Sequence, residues 1–189
     1  MIVKKAVAFA ERAHRGAVRK GTGIPYITHP MDTAVIMATM TEDKELIAAA
    51  VLHDVVEDAG VTEQELKCQF GLRVAELVMA ETEDKSRSWL ERKSATIKHL
   101  KTASREEKLL VLADKLSNIR STARDYLLVG ESFWERFNEK KKSCHCWYYE
   151  GVAEGLKDLK EYPQYQEYVE LCRLVFHGQE LFLGDEGLQ

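Results

Sequence analysis

The run Leu46-Ile47-Ala48-Ala49-Ala50-Val51-Leu52-His53-Asp54-Val55-Val56-Glu57-Asp58 sets one imidazole and three carboxylates at the end of a nearly apolar segment. Its first half reads as a helix that is apolar all round, which predicts a place in the interior. Buried charge is costly unless it is paired, hydrogen-bonded or bound to a metal. The spacing offers a way out. Glu57 follows His53 by four residues and Asp58 follows Asp54 by four, so each pair shares a side of the helix. His53 and Asp54 then present one nitrogen and one oxygen to a cation. Glu57 and Asp58 sit one turn further on, beside any water that cation holds. This donor pattern belongs with metal-dependent hydrolysis.

Two other stretches offer matching groups. In Lys108-Leu109-Leu110-Val111-Leu112-Ala113-Asp114-Lys115-Leu116-Ser117-Asn118-Ile119-Arg120 one acid, Asp114, interrupts an apolar run, and Asn118 follows one turn later. Taken alone, a buried aspartate paired with an arginine explains Asp114 as well as a metal does. In Pro25-Tyr26-Ile27-Thr28-His29-Pro30 two prolines bracket a short extended piece. Pro30 suits the first position of a helix, which puts His29 just before the helix start. A lone histidine is usually hydrogen-bonded rather than a ligand. With His53, Asp54 and Asp114, however, His29 completes a set of two imidazoles and two carboxylates. Such a set suits Mn²⁺, Fe²⁺ or Zn²⁺ with positions left for water, whereas a closed structural zinc site more often uses cysteine.

These residues carry a resemblance. His29, His53-Asp54 and Asp114 together resemble the HD superfamily of metal-dependent phosphohydrolases. The segments Ala13-His14-Arg15-Gly16, Arg19-Lys20-Gly21, Pro25 to Pro30, His53 to Asp58 and Leu112 to Arg120 are similar, in order and interval, to the hydrolase domain of the RelA/SpoT family. The likeness spans about residues 3 to 125 and weakens beyond. The chain is too short for the synthetase and regulatory domains of bifunctional members, so it resembles the stand-alone small alarmone hydrolases.

The resemblance implies a single all-α HD-type phosphohydrolase domain over residues 1–189, a bundle of roughly eight to ten helices. It implies one Mn²⁺, with Fe²⁺ or Zn²⁺ as alternatives, held by His29, His53, Asp54 and Asp114. Glu57 and Asp58 would orient and deprotonate water or protonate the leaving group. Arg19 and Lys20 would hold the guanine face and phosphates, Asn118 the ribose or a phosphate, and Tyr26 would line the pocket. The implied reaction is hydrolysis of the 3′-diphosphate of (p)ppGpp, giving GDP or GTP and pyrophosphate. The alternatives are another nucleotide, an adenine analogue or NADPH, and a binding module without chemistry. Two positions depart from the usual pattern: Ala17 stands where many members have Gln, and Ser117 where a larger side chain is common, which would widen the pocket.

Helices must position these groups. Apolar periodicity predicts a first helix over about 2–15, broken by Gly21-Thr22-Gly23-Ile24-Pro25. A helix over 31–40 follows, and Thr41 or Asp43 caps the organising helix. Thr62 and Glu65 have capping-box spacing for a helix from Glu63 to Phe70. Further helices are expected over 72–81 and 89–100. From Glu131 the pattern suggests two long helices meeting near Tyr162-Pro163, with Lys140-Lys141-Lys142 solvated and Trp147-Tyr148-Tyr149 in the core. Gly184 to Gln189 should fray.

Composition sets the outer bounds. The 189 residues are 45% hydrophobic and 31% charged, an ordinary globular balance. The formal net charge of -4 argues against nucleic-acid binding by the surface as a whole. A small nucleotide is the expected partner, caught by a local basic pocket. No apolar run approaches the roughly 18 residues of a membrane span, and the N-terminus is not a convincing signal peptide. A cytoplasmic protein with four free thiols, Cys68, Cys144, Cys146 and Cys172, is therefore expected. Cys144-His145-Cys146 lacks a second pair at finger spacing, so a structural metal there is not expected.

Overall fold

Asp43 starts the organising helix: its carboxylate accepts from the amides of Glu45 and Leu46 at 2.9 and 3.3 Å. The computed structural model describes residues 1–178, so the fraying expected of Gly184 to Gln189 lies outside the described residues. Among the described residues there are ten α-helices and no strand, only an isolated bridge between Val18 and Pro25.

The order is α1 (Ile2–Ala13), α2 (Thr28–Ala38), α3 (Lys44–Leu52), α4 (Val55–Ala59), α5 (Glu63–Phe70), α6 (Leu72–Glu81), α7 (Trp89–His99), α8 (Arg105–Val129), α9 (Lys142–Gly155) and α10 (Pro163–His177). Ser88 and Ser104 open α7 and α8 with full capping boxes, closed by Glu91 and Glu107. Thr62 accepts from the Glu65 amide as expected.

Helix α8 is the axis of the bundle. It packs against α2, α3, α6 and α10. Leu110, Leu112, Leu116 and Ile119 are fully buried along it, each worth about 1.5–3 kcal/mol relative to exposure. Helix α3 lies beside it with Leu46, Ala48, Ala49, Ala50, Val51 and Leu52 buried, as a helix without a polar face must.

Three expectations change. The organising helix is not continuous, because α3 ends at Leu52 and α4 begins at Val55. The cause is His53, whose Nδ1 is 2.8 Å from the Ala50 carbonyl. In an unbroken helix that carbonyl would accept from the Asp54 amide. The helix after Pro25 starts at Thr28, so His29 lies in its first turn, not before it. Pro30 is tolerated there because first-turn amides have no intrahelical acceptor. Finally, Gly130–Arg136 is a 3₁₀ stretch and α9 begins only at Lys142.

Candidate metal centre and cleft

His29 comes from α2, His53 and Asp54 from the α3–α4 break, and Asp114 from the middle of α8. Their ligand atoms meet. Nε2 of His29 and Nε2 of His53 are 3.2 Å apart. Oδ1 of Asp114 is 3.0 Å from the first and 3.5 Å from the second. Oδ2 of Asp54 is 3.5 and 3.0 Å from them. His29, His53 and Asp114 are buried.

The donor set fits a metal ion. Donors at about 2.1 Å from one ion and in adjacent octahedral positions are separated by about 3.0 Å, close to the spacings seen. The tautomers fit as well. Nδ1 of His53 is committed to the Ala50 carbonyl and Nδ1 of His29 lies 2.9 Å from Ser117 Oγ. With both Nδ1 protonated, two Nε2 lone pairs face each other and two carboxylate oxygens. A cation resolves that arrangement. Leaving Asp114 buried without partners would cost several kcal/mol. Its Oδ1 also accepts from Asn118 Nδ2 at 2.7 Å, and Lys115 Nζ bonds its Oδ2. The partner is therefore Lys115, not an arginine.

The remaining expected residues lie around this centre. The Tyr26 hydroxyl is 2.7 Å from Asp54 Oδ2 and 2.8 Å from Asp58 Oδ2. Burial, then the Asp54 and Asp58 charges, raise its pKa, so the phenol keeps its proton. The Asp58 amide still bonds the Asp54 carbonyl at 2.9 Å, preserving that register across the break. Glu57 Oε2 accepts from the Glu83 amide at 3.3 Å. Burial, then the Glu83 charge, raise the Glu57 pKa. Arg19 donates to Asn118 Oδ1 at 3.1 Å and lies 5.8 Å from the Tyr26 ring centre.

All these side chains line one cleft of about 1100 Å³. Arg120, Arg124 and Arg136 also reach it, but acids engage them: Glu167 holds Arg120, and Asp125 holds the other two. Arg92 and Lys93 both pair with Glu83. Arg19 and Lys20 have no carboxylate partner among the described residues, which leaves them free for an anion. Gly21 turns the chain after them at φ +70°, and a Cβ there would lie 2.6 Å from Arg136 Nε.

The HD-domain family model matches residues 6–127. The chain belongs to the HD-domain family. It is 41% identical over 183 residues to guanosine-3′,5′-bis(diphosphate) 3′-pyrophosphohydrolase MESH1 of Mus musculus, covering 95% of each chain. The MESH1 hydrolase of Danio rerio is 41% identical over 126 residues, 65% of this chain and 70% of that one. A solved structure described as a metazoan ortholog of SpoT that hydrolyzes ppGpp superposes with a TM-score of 0.77 at 27% identity, covering 91% of this chain and 94% of that one.

Sequence reasoning gave Ser117 only a pocket-widening role and left other residues of this HD domain without one. Ser117 lines the cleft, but its hydroxyl is engaged by His29. Lys85, in the loop after α6, bonds Asp58 Oδ1 at 2.6 Å and the Glu57 carbonyl at 2.7 Å. Nothing in that polar loop marks Lys85 out. Lys115 is legible only as the residue after a buried acid. Burial opposes its charge, yet Asp114 keeps its pKa well above the usual lysine range. Glu81 reaches the cleft beside Lys115, and burial pushes its carboxyl up to about 7. Tyr148 and Tyr149 both line the cleft and pack in the core, whereas Trp147 is 41% exposed.

Proposed function

We propose that this chain is a metal-dependent guanosine 3′,5′-bis(diphosphate) 3′-pyrophosphohydrolase. Water replaces O3′ on the diphosphate, so ppGpp yields GDP, pppGpp yields GTP, and each releases pyrophosphate. One observation carries the reading: the convergence of His29, His53, Asp54 and Asp114 at the floor of a cleft whose rim holds two cations, Arg19 and Lys20, without a carboxylate partner among the described residues. The hydrolase relative aligned over 95% of the chain supports the substrate class.

The four converging residues are proposed to hold one Mn²⁺, since two imidazoles and two carboxylates without sulfur suit a fairly hard ion. When bound, the ion supplies Lewis acidity and lowers the pKa of a water. Glu57 and Asp58 would orient the attacking water and take or return its proton. Tyr26 holds Asp54 and Asp58 in fixed relation. Arg19 and Lys20 hold the phosphates and the base, since a planar guanidinium both pairs and stacks. Asn118, tied to Asp114 and Arg19, links the metal floor to that rim. We read residues 1–189 as one such domain, acting on a small nucleotide in the cytoplasm. No described helix is long and apolar enough to cross a membrane.

The test is pyrophosphate release from ppGpp by Mn²⁺-loaded protein, with chelated protein and Asp54→Ala alongside. Metal-dependent release that the variant lacks supports both site and substrate. No release by folded, metal-bound protein overturns the ppGpp reading. Phosphate release from NADPH in a parallel arm would then redirect the substrate without moving the site.

A further inference from the structure

Cys146 and Glu150 lie one turn apart on α9, and His177 closes α10 opposite them. Nε2 of His177 is 2.8 Å from Glu150 Oε1 and 3.8 Å from Cys146 Sγ. The three ligand atoms lie within 4.8 Å of one another. Around a tetrahedral zinc, with Zn–S about 2.3 Å and Zn–N about 2.05 Å, adjacent sulfur and nitrogen donors are roughly 3.5 Å apart. The trio is thus already near ligand spacing.

We propose that Cys146, Glu150 and His177 form a second metal site, selective for a thiophilic divalent ion such as Zn²⁺. Three protein donors leave a fourth tetrahedral position to solvent. Binding releases the Cys146 proton, and the thiolate and carboxylate together balance the charge of the ion. Donor chemistry keeps the two centres apart: the cleft set has no sulfur, whereas this one has a thiolate that favours zinc over manganese.

The tract Cys144-His145-Cys146 does not act as a unit. His145 is buried, 5.0 Å from the Trp134 ring, with Nε2 2.8 Å from the Glu139 carbonyl. Cys146, by contrast, faces His177 of α10. The sequence suggested no metal here because the two other donors come from the next turn and the next helix.

An ion at this site would clamp the last turn of α10 to α9. The residue before His177, Phe176, packs at 5.8 Å on Trp134 and 5.5 Å on Tyr149. Both of those rings line the cleft. The clamp would therefore brace the aromatic wall of the cleft from behind.

The test uses the full chain with its cleft already loaded with Mn²⁺, titrated with Co²⁺ as a spectroscopic probe. A thiolate-to-cobalt charge-transfer band should appear and saturate at one equivalent, and Zn²⁺ should abolish it. The cleft contributes no sulfur, so it cannot produce this band. Cys146→Ser should eliminate it, while Glu150→Gln and His177→Gln should each weaken Co²⁺ binding by at least about tenfold. Circular dichroism reports whether each variant is folded. No thiolate band with Co²⁺ up to about 100 µM overturns the proposal. A band that survives Cys146→Ser, or binding unchanged in both other variants, overturns it as well.

Discussion

Ser117 Oγ lies 2.9 Å from Nδ1 of His29, on the opposite side of the ring from the Nε2 that faces His53 and Asp114. Ser117→Ala leaves the backbone of α8 unchanged and removes that partner. Metal affinity should fall by about 10–100-fold, the usual effect of losing a ligand's hydrogen-bond support. Titration of the apo-protein with Mn²⁺ measures it. Unchanged affinity would show that packing alone orients His29.

Tyr26→Phe keeps the ring against His14, 5.0 Å away, and deletes the hydroxyl shared by Asp54 and Asp58. Hydrogen bonds to charged groups are worth about 1.5–3 kcal/mol. We expect kcat to fall by about ten- to a hundredfold, with KM moving little. A rise in KM with kcat intact would instead place Tyr26 among the substrate contacts.

Glu57→Gln should lower kcat by about 10²–10⁴-fold while metal content stays the same, as for loss of a general acid–base group. The pH profile gives a finer test. Burial and the neighbouring Glu83 raise the Glu57 pKa. A base that must be ionised then loses activity, on acidification, at a higher pH than an ordinary carboxylate would. Glu83→Gln removes a neighbouring negative charge, so the acid limb should move to lower pH. A shift the other way would exclude Glu57 as the base.

Arg73 joins Asp43, Glu45 and Glu106 across three segments, at 2.6, 2.8 and 2.7 Å. The Arg73 guanidinium, with the Glu45 and Leu46 amides, holds the Asp43 pKa down to about 2. A depressed folded-state pKa contributes stability above the unfolded-state value of about 3.9. That contribution is lost as pH falls through about 2. The hub is over a third exposed, so Arg73→Met should cost only about 1 kcal/mol at neutral pH, less in high salt. Urea midpoints at pH 6 and at pH 2 check this, and the gap between variant and parent should shrink at the lower pH.

The candidate ligands were legible because charge in an apolar run is conspicuous. His53-Asp54 and Asp114 each interrupt a stretch that must be buried, and the structure brings them together with His29. The break between α3 and α4 was not legible. It depends on an imidazole bonding a carbonyl three residues back, with no glycine or proline to announce it. The bonds that Ser117 and Lys85 make were hidden for another reason. Their partners, His29 and Asp58, are distant in sequence, and periodicity registers only which face a residue occupies. The 3₁₀ stretch after α8 was read as part of a long helix; its core-facing Phe133 and Trp134 are adjacent, so they carry no helical period that would place the start of α9.

The metal centre gathers its donors from the start of α2, the α3–α4 break and the middle of α8. His29 and His53 alone are 24 residues apart in the chain. An ion bound there acts as a removable cross-link, held only while the chain is folded and released when it unfolds. Because it binds the folded arrangement, it adds about 2.7 kcal/mol of stability at a free concentration of about a hundred times its Kd. In a Cys146→Ser background, where the α9–α10 trio has lost its thiolate, melting temperature becomes a direct readout of which ion the four cleft donors prefer, with no substrate in the tube. Adding Asp114→Asn in that background, where one cleft donor has lost its charge, should give a Tm that no longer responds to added metal.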